Sequence, residues 1–381
     1  PESVTLARML VEQRAEARHV DVDALVRDAQ GHPLFIDELV ELALADPGGG
    51  LAHQGLASVI GARITDLAPE RRRLLELVCV ANTPTAQGIV ARAAGGLDFL
   101  RHVTALRAAR LVRTSGGRTS EDIAPYHDQI QRAVLDLTPE PRQKEHHRQL
   151  ASAHESADPP NHEALVHHYR ACDERAKAAH YGLVAGDLAS SALAFDRAVK
   201  FYRQALESCP SCDPISSRKK LAEALVNVGR GAEAARVYLE AAHVASPTEA
   251  LVLRQEAASL LLRTGHIDDG IHAMKGVLNS IGESFPPPGR RALLSLLYQR
   301  AKLRLRGYGY RKSADVVLPV ALFQRMDACY SAATGLAVVD PLRGMIFQTR
   351  HVWMALRAGE PTRLARALAG ADSHSERGFE G

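Results

Sequence analysis

The sequence predicts a mainly α-helical chain whose second half is an α-solenoid of helical hairpins. Three observations carry that prediction. Ala198, Tyr202 and Ala205 recur as Ala234, Tyr238 and Ala241, then in looser form as Gly270, Met274 and Val277, each time 36 residues on. A period of that size means one pair of helices per repeat, each pair burying its apolar face only against its neighbours. Gly229 and Gly265 share the 36-residue offset and fall where tight turns are needed. Ala and Leu dominate the composition while β-branched runs stay short, which favours helix over strand.

Taken in order, residues 21–46 read as a helix, a break at Gly31-His32-Pro33, and a second helix through Leu34-Phe35-Ile36-Asp37-Glu38-Leu39-Val40. Pro33 stops the first helix and can start the next, where its missing N–H costs nothing. Asp46-Pro47-Gly48-Gly49-Gly50 is a linker by composition.

Residues 56–140 predict a compact winged-helix unit. Pro69-Glu70 opens a helix with Leu74, Leu75, Val78 and Cys79 inward. Thr83-Pro84 opens a second helix that runs to about Ala94, and Gly95-Gly96 sets off a third over 97–110, with Leu97, Leu100, Val103 and Leu106 on one face. Leu111 to Thr114 and Ile123 to Tyr126, joined through Ser115-Gly116-Gly117, read as a β-hairpin, the wing. A further helix runs from about His127 to Leu137.

Beyond about Arg142 only helices are expected. Gly186, Ala198, Tyr202, Ala205 and Pro210 fall at the small, small, aromatic, small and proline positions of a unit that resembles a tetratricopeptide repeat. Small residues are needed where paired helices cross closely, and the aromatic fills the groove between hairpins. Phe285-Pro286-Pro287-Pro288-Gly289 breaks the array, and a late hairpin turns at Gly359-Glu360-Pro361. The domain expectation is therefore 1–50 a helical lid segment, 51–140 the winged helix, 141–284 the repeats and 285–381 further hairpins.

The formal net charge of +3 is too small, on 381 residues, to imply a nucleic-acid binder. Cys79, Cys172, Cys209, Cys212 and Cys329 are odd in number and widely spaced, unlike a secreted disulfide scaffold. No apolar stretch is long enough for a membrane span, and no signal peptide is visible. The chain starts at Pro1 on a helical pattern, so we expect it to be part of something longer, and cytoplasmic.

Few patterns offer chemistry. No Lys follows a Gly, which a phosphate-binding loop of the form G-x-x-x-x-G-K-[ST] requires, and no kinase catalytic signature is present. His162 and His167 are five apart, about 140° off one another on a helix. A metalloprotease helix needs them four apart, so this is read as a polar face rich in His, and no metal site is expected. Cys209-Pro210-Ser211-Cys212 lacks the second ligand pair of a structural zinc site and falls in an inter-repeat loop, where it reads as loop cysteines. Arg300, Lys302, Arg304, Arg306, Arg311 and Lys312, among Tyr298, Tyr308 and Tyr310, spread around a helix and read as a solvated face. Arg101, Arg107 and Arg110 would be the basic residues of a recognition helix, but the helix is apolar on a wide face and the wing is not notably basic, so DNA binding is not expected.

Gly31-His32-Pro33-Leu34-Phe35-Ile36-Asp37-Glu38-Leu39 resembles the G-N-P-L-F-L-E-E-L stretch of bacterial signal-transduction ATPases with numerous domains, relatives of AAA+ proteins. Tyr126-His127-Asp128-Gln129-Ile130-Gln131-Arg132-Ala133 is similar to their F-R-H-x-x-I-R-E-A stretch just after the wing, with Tyr126 where that family has Arg. Tetratricopeptide-like repeats follow in that family, and the resemblance covers most of residues 20–280. The stretch from Asp340 through His351 to Pro361 resembles the C-terminal region of large serine/threonine protein kinases of myxobacterial type that carry such a module.

The resemblance implies a division of labour. Catalytic residues, the Walker motifs and bound Mg would belong to the rest of the parent, and ATP or ADP would be the cofactor. Gly31 and Pro33 would lie against the adenine, and His127 would reach the β-phosphate and hold a closed ADP state. The repeats would take a protein partner or a small-molecule inducer, and the winged helix would dock on the nucleotide-binding domain. On the residues alone, His127 also fits a cap at the start of its helix, and Gly31 and Pro33 a plain helix break. The alternatives are an ATP-dependent transcription regulator with a C-terminal DNA-binding domain, and a plain repeat adaptor with no nucleotide link.

Overall fold

Every residue from Leu74 to Val80 is buried. A helix apolar all round belongs at the centre of its domain, and the first half of the chain is built about this one. The computed structural model describes residues 2–14, 22, 23, 26, 36, 40, 55–96, 98–116, 118, 120–309, 319–359 and 361–375. They fall into two units, Pro1–Tyr181 and Gly182–Gly381.

In the first unit the elements run α1 (Glu2–Arg14), α2 (Gly55–Thr65), α3 (Pro69–Val80), β1 (Thr85–Ala86), α4 (Gln87–Ala94), α5 (Phe99–Ala108), β2 (Val112–Thr114), β3 (Asp122–Pro125), α6 (Asp128–Leu137), α7 (Glu140–Glu155) and α8 (His162–Ala171). Leu74, Leu75 and Val78 of α3 share one core with Val90, Leu106, Val112, Ile123, Val134 and Leu150. Ile36 and Val40, four apart and fully buried, join that core. Glu76 is the charged exception in that buried run: its Oε2 meets Nε2 of His146 at 2.9 Å and accepts from Nε of Arg142 at 2.7 Å. A buried carboxylate so paired ties α7 to the central helix.

The expected hairpin is present as β2 and β3, antiparallel, with Val112 opposite Pro125 and Thr114 opposite Ile123. Three expectations for this unit need correction. Residues 85–86 do not begin a helix: they form β1, which pairs with β3 and completes a three-stranded sheet of order β1-β3-β2. The Gln87 N–H donates to the Glu121 carbonyl at 2.9 Å, and the helix starts only there. The buried face of α5 is Phe99, Val103 and Leu106, while Leu100 is 61% exposed. Spacings of four and three keep to one face of a 3.6-residue helix, whereas repeated steps of three drift off it. Arg110 lies beyond the end of α5 at φ 55°, so it is not on that helix.

α9 (Arg175–Ser191) contains the boundary between the units. The second unit continues with α10 (Phe195–Ser208), α11 (Pro214–Asn227), α12 (Gly231–Val244), α13 (Pro247–Arg263), α14 (Ile267–Ser280), α15 (Arg290–Arg306), α16 (Val320–Leu336), α17 (Pro341–Ala358) and α18 (Pro361–Ser375). The 36-residue echo is a structural period. α10, α12 and α14 each span 14 residues and begin at 195, 231 and 267. Loop and helix lengths compensate between them: the loop 209–213 is three residues longer than 245–246, and α11 is three residues shorter than α13.

Each hairpin turns in the same way. Leu193, Gly229 and Gly265, 36 apart, all have positive φ, at 58°, 85° and 85°. The following N–H bonds back five residues, Ala194 to Ala189 at 2.8 Å, Arg230 to Leu225 and His266 to Leu261 at 2.9 Å. This is the Schellman closure that satisfies the last carbonyls of a helix. The small position is periodic too: Gly186, Ala222 and Ala258 face Tyr202, Tyr238 and Met274 in sequence spacing, and all three small residues are buried.

The array ends as expected at Phe285 to Gly289, where Phe285 packs on Phe347 with ring centroids 5.7 Å apart and under the Arg343 guanidinium. The late hairpin is present as α17 and α18, with Gly359 left-handed at the end of α17. Among the described residues no helix is long and apolar enough to cross a membrane.

Candidate functional site

His127 is the N-cap of α6, directly after β3. Its backbone is extended at φ −148°, and its Nδ1 accepts the Gln129 N–H at 3.2 Å. An acceptor at Nδ1 places the proton of the neutral ring on Nε2, leaving that nitrogen as a donor. Gln131, one turn further, fixes α6 by donating to the Cys79 carbonyl at 2.9 Å and to Asn82 Oδ1 at 3.1 Å. Gly31 and Pro33, the other two positions expected at a nucleotide, lie outside the described residues.

In the repeats, Asp187 of α9 joins two helices of the array. It accepts from the Tyr202 hydroxyl at 2.8 Å and from Lys220 Nζ at 2.6 Å. Burial, then the Asp187 carboxylate, pushes the Tyr202 phenol up. Cys209 and Cys212 lie in the inter-repeat loop, where they are joined as a disulfide. That bond closes the longer of the two inter-hairpin connections.

Arg300, Lys302, Arg304 and Arg306 on α15 are exposed, as expected of a solvated face, and Arg311 and Lys312 lie outside the described residues. Two of the charged ends have partners: Lys302 Nζ sits 4.4 Å from the Trp353 ring centre, and the Arg306 guanidinium donates to the Leu356 carbonyl at 3.0 Å. α15 buries little else than Ala292, Leu296 and Leu303, and leaves Leu294, Leu297, Tyr298 and Leu305 exposed.

The seam between α7 and α8 gathers histidines that the sequence did not bring together. His147 Nδ1 lies 2.9 Å from His168 Nδ1, and ligand atoms of His147, His167 and His168 all lie within 4.8 Å of one another. His154, two turns along α7, stacks on His168 with ring centroids 5.6 Å apart. Burial, reinforced by the neighbouring imidazoles, pushes His147 down to about 4 and His168 to about 2. His167 is also lowered, by the atoms crowded around its ring and then by Arg170. His162, the residue whose spacing from His167 attracted a metal reading, instead stacks on Tyr181 at 5.9 Å. A search for histidines four apart on one helix misses a group whose members come from two antiparallel helices.

No protein family and no curated protein matches the sequence. Among solved structures the chain is similar to a Signal Transduction ATPase with Numerous Domains (STAND) protein with a tetratricopeptide repeat sensor, from Pyrococcus horikoshii, at 14% identity and a TM-score of 0.43. The similarity covers 100% of this chain and 54% of that one, so the chain spans about half the length of that structure.

Proposed function

We propose that the chain is the regulatory and sensor part of a larger ATP-binding signalling protein, with residues 51–140 acting as a winged helix beside a nucleotide-binding domain. One observation carries the proposal: the helix capped by His127 follows the hairpin β2–β3 directly and precedes the repeat array in the same chain. His127 suits the nucleotide role that its motif implies. Its neutral ring, an acceptor at Nδ1, carries its proton on Nε2, and a protonated ring would donate more strongly to a phosphate oxygen. ATP or ADP would be the ligand, with Mg and the phosphate loop supplied elsewhere in the parent, because no Lys of this chain follows a Gly.

The repeats supply the input. A protein partner or inducer that binds one arrangement of the array more tightly shifts the population toward it, and the winged helix leaves the nucleotide. The stretch from Asp340 to Pro361 favours a serine/threonine protein kinase as the parent. A transcription regulator is the rival, since the same modules serve there.

The test is ADP release from the full-length parent. His127→Ala should speed it, and His127→Asn, which keeps a capping acceptor, should speed it equally if the imidazole meets phosphate. Release unchanged in both variants removes the role. Reading the gene upstream of the Pro1 codon separates the parents: a kinase catalytic loop followed by a phosphate loop supports the kinase, and an ATPase core alone supports the regulator.

A further inference from the structure

Seven of the chain's 17 histidines lie between residues 146 and 180. Three have a plain account. His146 pairs with Glu76, His162 stacks on Tyr181, and His180 meets the edge of the same ring at 5.1 Å. His147, His167 and His168 have no such account. Their rings converge at 5.1 to 5.5 Å between centroids, across the seam of two packed helices.

We infer that His147, His167 and His168 form a binding site for one divalent transition-metal ion of the zinc class, bridging α7 and α8. The donor set is the argument. Imidazole nitrogen is a preferred ligand of zinc and its neighbours in the first row, and three such ligands with one open position make a recurrent zinc arrangement. Zinc–nitrogen bonds of about 2.0–2.1 Å at tetrahedral angles hold ligand nitrogens about 3.3 Å apart. The His147–His168 pair stands at 2.9 Å and all three ligand atoms lie within 4.8 Å of one another, so the pair would open by a few tenths of an ångström and the exposed His167 ring would turn inward to close the set.

The bare cluster explains itself poorly. Two neutral imidazoles at 2.9 Å can share one N–H···N bond, with one nitrogen as donor and the other as acceptor. That bond does not involve His167, whose ring stands beside both on the exposed side. Burial is graded in a useful way: His168 is 2% exposed, His147 half-buried and His167 exposed. The ion would be anchored on the buried ring, with solvent able to fill the fourth position on the side of His167. His154 stacks behind His168, and its own Nδ1 is buried without a hydrogen-bond partner.

An ion here would pin the two helices of one hairpin, and it would stabilise the folded chain by mass action. This inference stands apart from the sensor proposal, since it concerns only α7 and α8.

The experiment uses the 381-residue chain without added histidines, stripped by chelator and dialysed. Cobalt(II) is added first as a spectroscopic probe, then zinc as competitor. The expected result is one cobalt per chain with visible ligand-field bands of low-symmetry four- or five-coordination, abolished by one equivalent of zinc, and a zinc-dependent rise in Tm. His167→Gln changes an exposed residue and should fold. It should weaken binding at least about tenfold, the minimum seen when even an outer partner of a ligand is lost. Cys209→Ser/Cys212→Ser should bind as the unaltered chain does. The inference is overturned if the stripped chain takes up neither metal, if His167→Gln binds as tightly as the original, or if the cysteine variant abolishes binding.

Discussion

The ring of Tyr202 occupies the place where a Cβ on residue 186 would stand: built on Gly186, that atom would lie 2.3 Å from Tyr202 Cε1. α9 and α10 can approach as closely as they do only because residue 186 has no side chain, and Tyr202 then reaches past it to Asp187. Gly186→Ala should therefore lower stability by about 1–3 kcal/mol, as overpacking does. Chemical denaturation of the variant measures it, and Gly186→Ala/Tyr202→Leu should recover part of the loss. An additive double variant would mean that the two residues do not meet.

Leu193 performs at the first turn what Gly229 and Gly265 perform at the next two, with a positive φ that L side chains resist. Its side chain is 73% exposed and gains little from packing. Left-handed backbone costs a non-glycine residue about 1–2 kcal/mol, and the greater freedom of an unfolded glycine offsets part of that. Leu193→Gly should thus raise stability by roughly 0.5 kcal/mol, and Gly229→Leu should lower it by about 1 kcal/mol or more. Urea midpoints of both variants decide the matter; a destabilised Leu193→Gly would show that the leucine packs after all.

His127 caps α6 whatever else it does. Loss of a capping acceptor costs about 1 kcal/mol, so His127→Ala should unfold at lower denaturant than the original chain and His127→Asn should not. Equal midpoints for the three proteins would count against the cap. The pair of variants also separates the cap from the nucleotide role, because only the Ala variant removes the acceptor while both remove the imidazole.

His351 is fully buried on α17 beside Tyr330, and neither ring nitrogen has a hydrogen-bond partner. Burial pushes it down to about 4 from 6.5, with Asp327 opposing and Arg366 and Arg363 assisting. The folded chain thus keeps His351 neutral where the unfolded chain takes up a proton. Stability from this source is complete above pH 6.5 and is lost as pH falls through about 4. His351→Phe should raise stability at pH 7 by about 1 kcal/mol, since it removes two unpaired polar atoms. It should also flatten the acid limb of Tm against pH. A limb of unchanged slope would assign acid sensitivity to other groups, His147 and His168 among them.

The repeats were legible because their signal is periodic. Ala198, Ala234 and Gly270 mark a recurrence that no local accident reproduces, and the helices that carry them recur in step. β1 was not legible. Thr85 and Ala86 are a strand only because β3 passes beside them, and two residues carry no alternation to read. The error at Leu100 has a different origin, a spacing of three counted where four-and-three was needed. The histidine group was hidden for a third reason: its members belong to two helices, and only packing makes them neighbours.

The three turns at Leu193, Gly229 and Gly265 have a consequence for how such an array can change. Because each joint has the same backbone form, the stretch from one joint to the next is an interchangeable cassette. Excision of residues 194–229 would join Leu193 to Arg230 with each in the conformation that it already has. Unequal crossing-over within the gene could therefore lengthen or shorten the array by whole hairpins without redesigning a single joint. The variable loops, such as the one closed by Cys209 and Cys212, would travel inside each cassette.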